Sequence, residues 1–140
     1  MWFVHWALGL GYYTAMSIAV WIEGSIPRKV PSALALYVVA CLKQNQCHRY
    51  LASLKKYTLP SEGWFDYLVC PHYTCECLLY VAIAWIAAPP GQLLNKTVLC
   101  GLLFVAVNLG ATAYGTRKWM ANKFGADKVA KRWTMIPLVF

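Results

Sequence analysis

The stretch Thr97-Val-Leu-Cys-Gly-Leu-Leu-Phe-Val-Ala-Val-Asn-Leu-Gly-Ala-Thr-Ala-Tyr-Gly-Thr116 runs for 20 residues without a charge, and only Asn108 breaks its apolar character. At about 1.5 Å per residue a helix of that length crosses a hydrocarbon core of about 30 Å. It opens directly into a basic segment holding Arg117, Lys118, Lys123, Lys128, Lys131 and Arg132. An apolar span ending in clustered cations reads as a membrane helix with its cytosolic end marked.

Working back along the chain, Trp64 to Ala88 is a second apolar run, carrying Asp66, Pro71, His72 and Glu76 before LLYVAIAWIAA and closed by Pro89-Pro90-Gly91. Pro31 to Leu42 is a shorter one that continues as KQNQCHRYLASLKK with no Pro or Gly, so the expectation is one helix with a polar, water-facing last third. Trp2 to Ile22 is uncharged throughout and lacks the basic start and small-residue cleavage site of a signal peptide. The expected fold is all-α: a polytopic transmembrane helical bundle of about four spans, forming one domain over residues 1–140 with no soluble domain.

Composition agrees. The 140 residues are 60% hydrophobic and only 13% charged, with a mean hydropathy of +0.48. A soluble domain carries about 25% charged residues, so a soluble globule, a disordered chain and a collagen-like repeat are all excluded. The net charge of +8 does not imply nucleic acid. Arg28, Lys29 and Lys96 lie in two inter-span segments, and the other ten of 13 cations lie in two others that alternate with them. This is the positive-inside pattern: loop 43–63 and the tail from 117 face the cytosol, as does the amino terminus, and loops 23–30 and 89–96 face the other side. The sequon Asn95-Lys96-Thr97 abuts a span on the lumenal side and is expected to be unused.

Ionisable groups within apolar segments are costly and by default face a cavity or a partner. Glu76 lies about a turn and a half into its span with His72 at i−4, so both share one helix face. Such a pair either binds a polar ligand or ties two helices together. Gln44 and His48 repeat the spacing on the polar end of the second helix, where a solvated helix end is the alternative. Lys55-Lys56-Tyr57 could hold phosphates or rest on anionic headgroups. Cys70, His72, Cys75 and Cys77 do not make a convincing zinc site, since Cys75 and Cys77 point roughly 160° apart on a helix. No metal is expected, and the six cysteines read as buried thiols without disulfides. No phosphate-loop or nucleophile-elbow motif occurs, and Gly9-Leu-Gly11 falls inside a span.

Three motifs carry a family resemblance. Leu59-Pro60, Trp64-Phe65-Asp66-Tyr67, His72-Tyr73 and Glu76 together resemble a signature of the steroid 5-alpha-reductase family, as does the ending Arg132, Ile136-Pro137, Phe140. Gln44, Cys47-His48, Leu51 and Leu54-Lys55 are similar to the polyprenol (polyprenal) reductase branch, whereas the steroid-reducing branch has Asn and Asp in place of Gln44 and His48. The resemblance covers about residues 35–140. It implies an integral endoplasmic-reticulum enzyme, multi-pass, with cofactor-facing loops in the cytosol. That enzyme uses NADPH to saturate the α-isoprene double bond of a polyprenyl lipid on the way to dolichol, which supports protein N-glycosylation.

By the same resemblance, Gln44, His48, Lys55, Tyr57, His72, Glu76 and Arg117 fall at cofactor-binding positions. Three departures stand out: Thr58 replaces an Arg, Arg117 a His, and Met120 a Tyr that contacts the cofactor. Arg117 can still hold a phosphate, but the Met120 thioether cannot donate a hydrogen bond. Family members are roughly twice as long, with six or seven spans, and their catalytic Tyr and Glu lie in the amino-terminal half. The expectation is therefore an incomplete bundle holding the carboxy-terminal, cofactor-binding portion, acting with an amino-terminal half or a membrane partner; its own catalytic residues stay unknown. Two alternatives remain: a non-catalytic membrane fragment or partner-binding protein, and a reductase of a 3-oxo-5-alpha steroid or an enoyl thioester.

Overall fold

Proline and asparagine decide where the helices begin. A computed structural model describes residues 11–18, 20 and 30–140; most of the apolar run Trp2–Ile22 and all of loop 23–29 lie outside the described residues. Residues 11–18 are helical (α1). The next helix, α2, is Val30–Ser53 and carries the polar third as expected, although it stops short of Lys55-Lys56. A single 3-10 turn, Gly63–Asp66, follows. Helix α3 is Pro71–Ile86, with Pro71 at its first turn, where a missing N–H costs nothing.

The run that begins at Trp64 is thus divided. Its α-helical part is 16 residues, about 24 Å long at the standard rise. Helix α4, Lys96–Phe124, is 29 residues and continues without a break from the apolar run into the basic tail. Gly125, at φ +102°, ends it in a backbone conformation that suits glycine. A short α5, Asp127–Ala130, follows. Among the described residues no named strand forms, only an isolated parallel bridge between Leu68 and Trp133.

Among the described residues α4 alone is long and apolar enough to cross a membrane, and only 17% of its apolar window is buried inside the protein. An apolar helix face so exposed calls for a cover, either lipid or another protein surface. The finer expectation of four spans goes beyond that one helix.

Among the described residues two buried clusters hold the bundle. The first gathers Tyr80, Ala84 and Val98 with Tyr12 and Met16 of α1 against it. Here Gly101 lets α1 approach α4: a Cβ at that position would stand 2.8 Å from Met16 Sδ and 2.9 Å from Tyr12 Oη. The second core gathers Val69, Cys70, Ala113, Met120, Val129 and Met135. Met120 is thus an apolar packing residue, which fits the thioether there.

Asn95 joins α3 to α4. It is 0% exposed; its side chain accepts from Val98 N at 3.0 Å, capping α4, and donates to Ala87 O at 3.0 Å. The sequon asparagine therefore has its amide committed inside the protein.

Candidate functional site

Helices α2 and α3 pack antiparallel, and this brings the two i,i+4 pairs face to face. The Gln44 amide donates to a Glu76 carboxylate oxygen. One turn further along, the rings of His48 and His72 stand 5.2 Å apart. All four residues line one cavity of about 370 Å³. Its remaining wall comes from Tyr12 and Tyr13 of α1, Tyr73 and Tyr80 of α3, and Phe104, Val105, Asn108 and Leu109 of α4. The site is a polar rim between α2 and α3 that leads into an aromatic interior against α4.

The segment preceding α3 holds this rim in place. Val69 N and Cys70 N donate to Trp133 O and Thr134 O at 2.9 and 3.0 Å, and Trp133 N donates to Tyr67 O at 2.9 Å. Thr74 Oγ1 donates to Met135 O at 2.6 Å. The carboxy-terminal segment therefore anchors the first turn of α3, where His72 sits. Phe65, 2% exposed, stacks near both Tyr50 (5.4 Å) and His72 (6.3 Å), so the Trp-Phe-Asp-Tyr motif contributes one buried wedge beside the imidazole.

Three other expected site residues lie elsewhere. Lys55 and Tyr57 sit in the exposed turn after α2, closed by Thr58 N donating to Lys55 O at 3.1 Å. Tyr57 adopts φ +64° and presents its ring to two ammonium groups, Lys123 at 4.4 Å and Lys56 at 5.1 Å, with Trp119 at 6.4 Å. Arg117 donates to the carbonyls of Arg132 and Ala130, and Arg132 in turn donates to Pro60 O at 2.7 Å. These arginines clasp the tail to the loop that precedes the Trp-Phe-Asp-Tyr turn. The structure thus gathers Gln44, His48, His72 and Glu76 into one cavity, and Lys55, Tyr57 and Arg117 are not among its lining residues.

Sequence reasoning missed the aromatic interior. Asn108 carried a usable signal, a lone amide in an otherwise apolar run, which by default faces a cavity. Tyr12, Tyr80 and Phe104 had none, because an aromatic residue in an apolar helix looks the same whether it faces a cavity or lipid.

The donor set suits a polar, hydrogen-bonding ligand. His72 Nδ1 is buried without a hydrogen-bond partner among the described residues, and such a group costs stability unless something satisfies it. The cysteines bring no competing chemistry. All six are free thiols, burial pushes the Cys47 thiol up, and among the described residues no cluster of His, Cys, Asp and Glu is arranged to hold a metal.

A family model described as 3-oxo-5-alpha-steroid 4-dehydrogenase matches residues 4–140. Curated relatives agree with it. A protein named polyprenal reductase from Xenopus tropicalis is 30% identical over 98% of this chain and 51% of its own length. One so named from Saccharomyces cerevisiae is 28% identical over 96% of this chain and 51% of its own. Polyprenal reductase 1 of Arabidopsis thaliana is 31% identical over 76% and 34%. The chain spans about half the length of the first two of these relatives. No solved structure matches it.

Proposed function

The chain belongs to the 3-oxo-5-alpha-steroid 4-dehydrogenase family, and from that premise we propose that it is the cofactor-binding portion, over about residues 35–140, of a polyprenal reductase. The observation that carries this reading is the facing of Gln44–Glu76 and His48–His72 across one cavity. The names of the relatives favour a polyprenyl substrate over a steroid. The chain then sits in the endoplasmic-reticulum membrane, crossing it about four times, with the α2 end, the 54–63 loop and the tail in the cytosol.

The residues fit a nicotinamide cofactor. Glu76 and Gln44 together offer acceptors and a donor to a carboxamide or ribose. His72 Nδ1 has no hydrogen-bond partner among the described residues, which leaves it free for a ligand group. Lys55 and the Tyr57 turn, flanked by Lys56 and Lys123, suit phosphate oxygens. Arg117 has five N–H donors, and its two carbonyl contacts leave others for a phosphate.

Bound NADPH would supply hydride to the β-carbon of a double bond conjugated to a carbonyl. The protein's part is position and polarity. Tyr80, Phe104 and Leu109 line the interior with apolar surface that excludes water and accepts an isoprene unit, while the rim fixes the polar end of the cofactor. Negative charge that develops on the carbonyl oxygen needs a hydrogen-bond donor.

Two measurements test the proposal. Purified chain in detergent should quench or shift NADPH fluorescence saturably, with NADH binding more weakly. Expressed together with the amino-terminal half of a relative in cells lacking polyprenal reductase, it should restore α-saturated dolichol. Absence of both NADPH binding and dolichol would reject the reading and leave a non-catalytic membrane protein.

A further inference from the structure

The carboxy-terminal segment is more than a clamp for α3. After Trp133 the chain folds into a hook, residues 135–140, that runs back along α4. It borders an apolar groove of about 490 Å³ with Ala106, Gly110 and Tyr114, and the Phe140 ring lies 3.7 Å from where a Cβ on Gly110 would be. Gly110 is six residues before Thr116, roughly 9 Å along the helix axis. The hook therefore lies beside the apolar part of α4, well short of its basic end.

Its outer surface is apolar. Leu138 is 85% exposed and Val139 78%, the two most exposed of the large hydrophobic side chains among the described residues. Its N–H groups are mostly paired from within: Met135 N and Ile136 N donate to Phe140 O, and Val139 N and Phe140 N donate to Ile136 O, Pro137 has no N–H, and Leu138 N makes no backbone hydrogen bond among the described residues. Lipid-exposed irregular backbone does not occur within the hydrocarbon core, so the place for this hook is the interface, where headgroups and water reach its free backbone groups. Trp64, Tyr67 and Trp133 surround an adjoining groove that Pro137 also lines, and all three are partly exposed. Lys128 and Lys131, both exposed, precede them. Basic, aromatic and apolar groups thus follow one another along the segment, in the order they take across a membrane interface.

We propose that residues 128–140, with Trp64 and Tyr67, form an in-plane lipid anchor. The Leu138 and Val139 side chains reach the upper acyl region of the cytosolic leaflet while the backbone stays at the interface, the three aromatic rings sit at headgroup level, and the two lysines meet anionic headgroups. The occupant of this face is lipid because the face continues the exposed apolar surface of α4. The inference rests on the reading of α4 as a membrane span. It also couples the bilayer to the candidate site, since the same segment holds the first turn of α3.

The test uses the chain in phosphatidylcholine vesicles, with an environment-sensitive fluorophore on Leu138→Cys in a background whose six cysteines are replaced. Glu62→Cys and Val107→Cys serve as aqueous and mid-span references. Lipid carrying a nitroxide high on its acyl chain should quench position 138 at least twofold more than position 62, and aqueous iodide should do the reverse. Quenching of 138 by iodide with 107 shielded from it overturns the anchor and leaves the span reading intact. Iodide access to both 138 and 107 overturns both. Shielding of 138 from both quenchers shows a protein cover and overturns the anchor. Should the cysteine-replaced chain fail to fold, a photoreactive benzoyl-phenylalanine in place of Leu138 in the otherwise native chain gives a second readout. A phospholipid adduct is expected there, and a protein adduct or no lipid adduct overturns the proposal.

Discussion

The Gln44 side-chain amide donates to the carboxylate of Glu76 across 32 residues of sequence and between two helices. The bond does two things. It gives the carboxylate, set in the apolar helix α3, a partner, and it fixes the register in which His48 meets His72 one turn away. Both roles are testable.

Replacing Gln44 by Ala removes the amide from Glu76 and frees its rotamers. A hydrogen bond to a charged group contributes about 1.5–3 kcal/mol, and loss of the lower part of that range in the bound state weakens binding about tenfold. NADPH affinity of Gln44→Ala should therefore fall about tenfold by fluorescence titration, and Gln44→Glu, which opposes two carboxylates, should fall further. Unchanged affinity in both variants would place the cofactor away from this pair.

Arg117 holds the carbonyls of Ala130 and Arg132. Arg117→Ala should lower the thermal midpoint in detergent by about 3–8 °C, the consequence of losing about 1–2 kcal/mol in a chain of this size. NADPH affinity should fall less than in Gln44→Ala. If affinity collapses while the midpoint stays put, Arg117 is a phosphate ligand and its carbonyl contacts are incidental.

At Gly101 side chains of α1 crowd against α4. Gly101→Val introduces a branched side chain where Tyr12 Oη and Met16 Sδ already stand within 3 Å of a Cβ. Overpacking of this kind costs about 1–3 kcal/mol. Met16 is flexible and absorbs part of the strain, whereas Tyr12 must move and alter the cavity. A melt of the variant should show the loss, and a midpoint equal to that of the parent chain would mean α1 packs elsewhere.

Asn95 should carry no glycan when the chain is made in microsomes, because its amide is fully buried and bonded at both ends. A glycosidase-sensitive gel shift would contradict that arrangement. Asn95→Ala loses both the cap and the link to Ala87 and should destabilise by about 1–2 kcal/mol. Asn95→Asp keeps the acceptor and should retain the capping part.

Much of the fold is legible from local signals. Pro71, the Pro89-Pro90-Gly91 turn and Asn95 set helix ends because each acts through its own backbone or a near neighbour. The apolar run at 97–116 marks α4 because water and hydrocarbon discriminate side chains one by one. The spacing of Gln44 with His48 and of His72 with Glu76 follows from helical period alone.

Tertiary structure decided the rest. Only the antiparallel docking of α2 on α3 makes two separate i,i+4 pairs into one site, and no local periodicity encodes which pair meets which. Sequence shows Arg117 as a cation in a basic tail. The fold binds it to carbonyls, since a guanidinium with five donors takes whatever acceptors packing brings within reach. In the same way Met120 became core and Asn108 became cavity wall. Hydropathy and punctuation, which act over one or two turns, determined what this chain is made of and where it bends. Which polar groups meet depends on contacts between residues distant in sequence, and that was settled only when the helices packed.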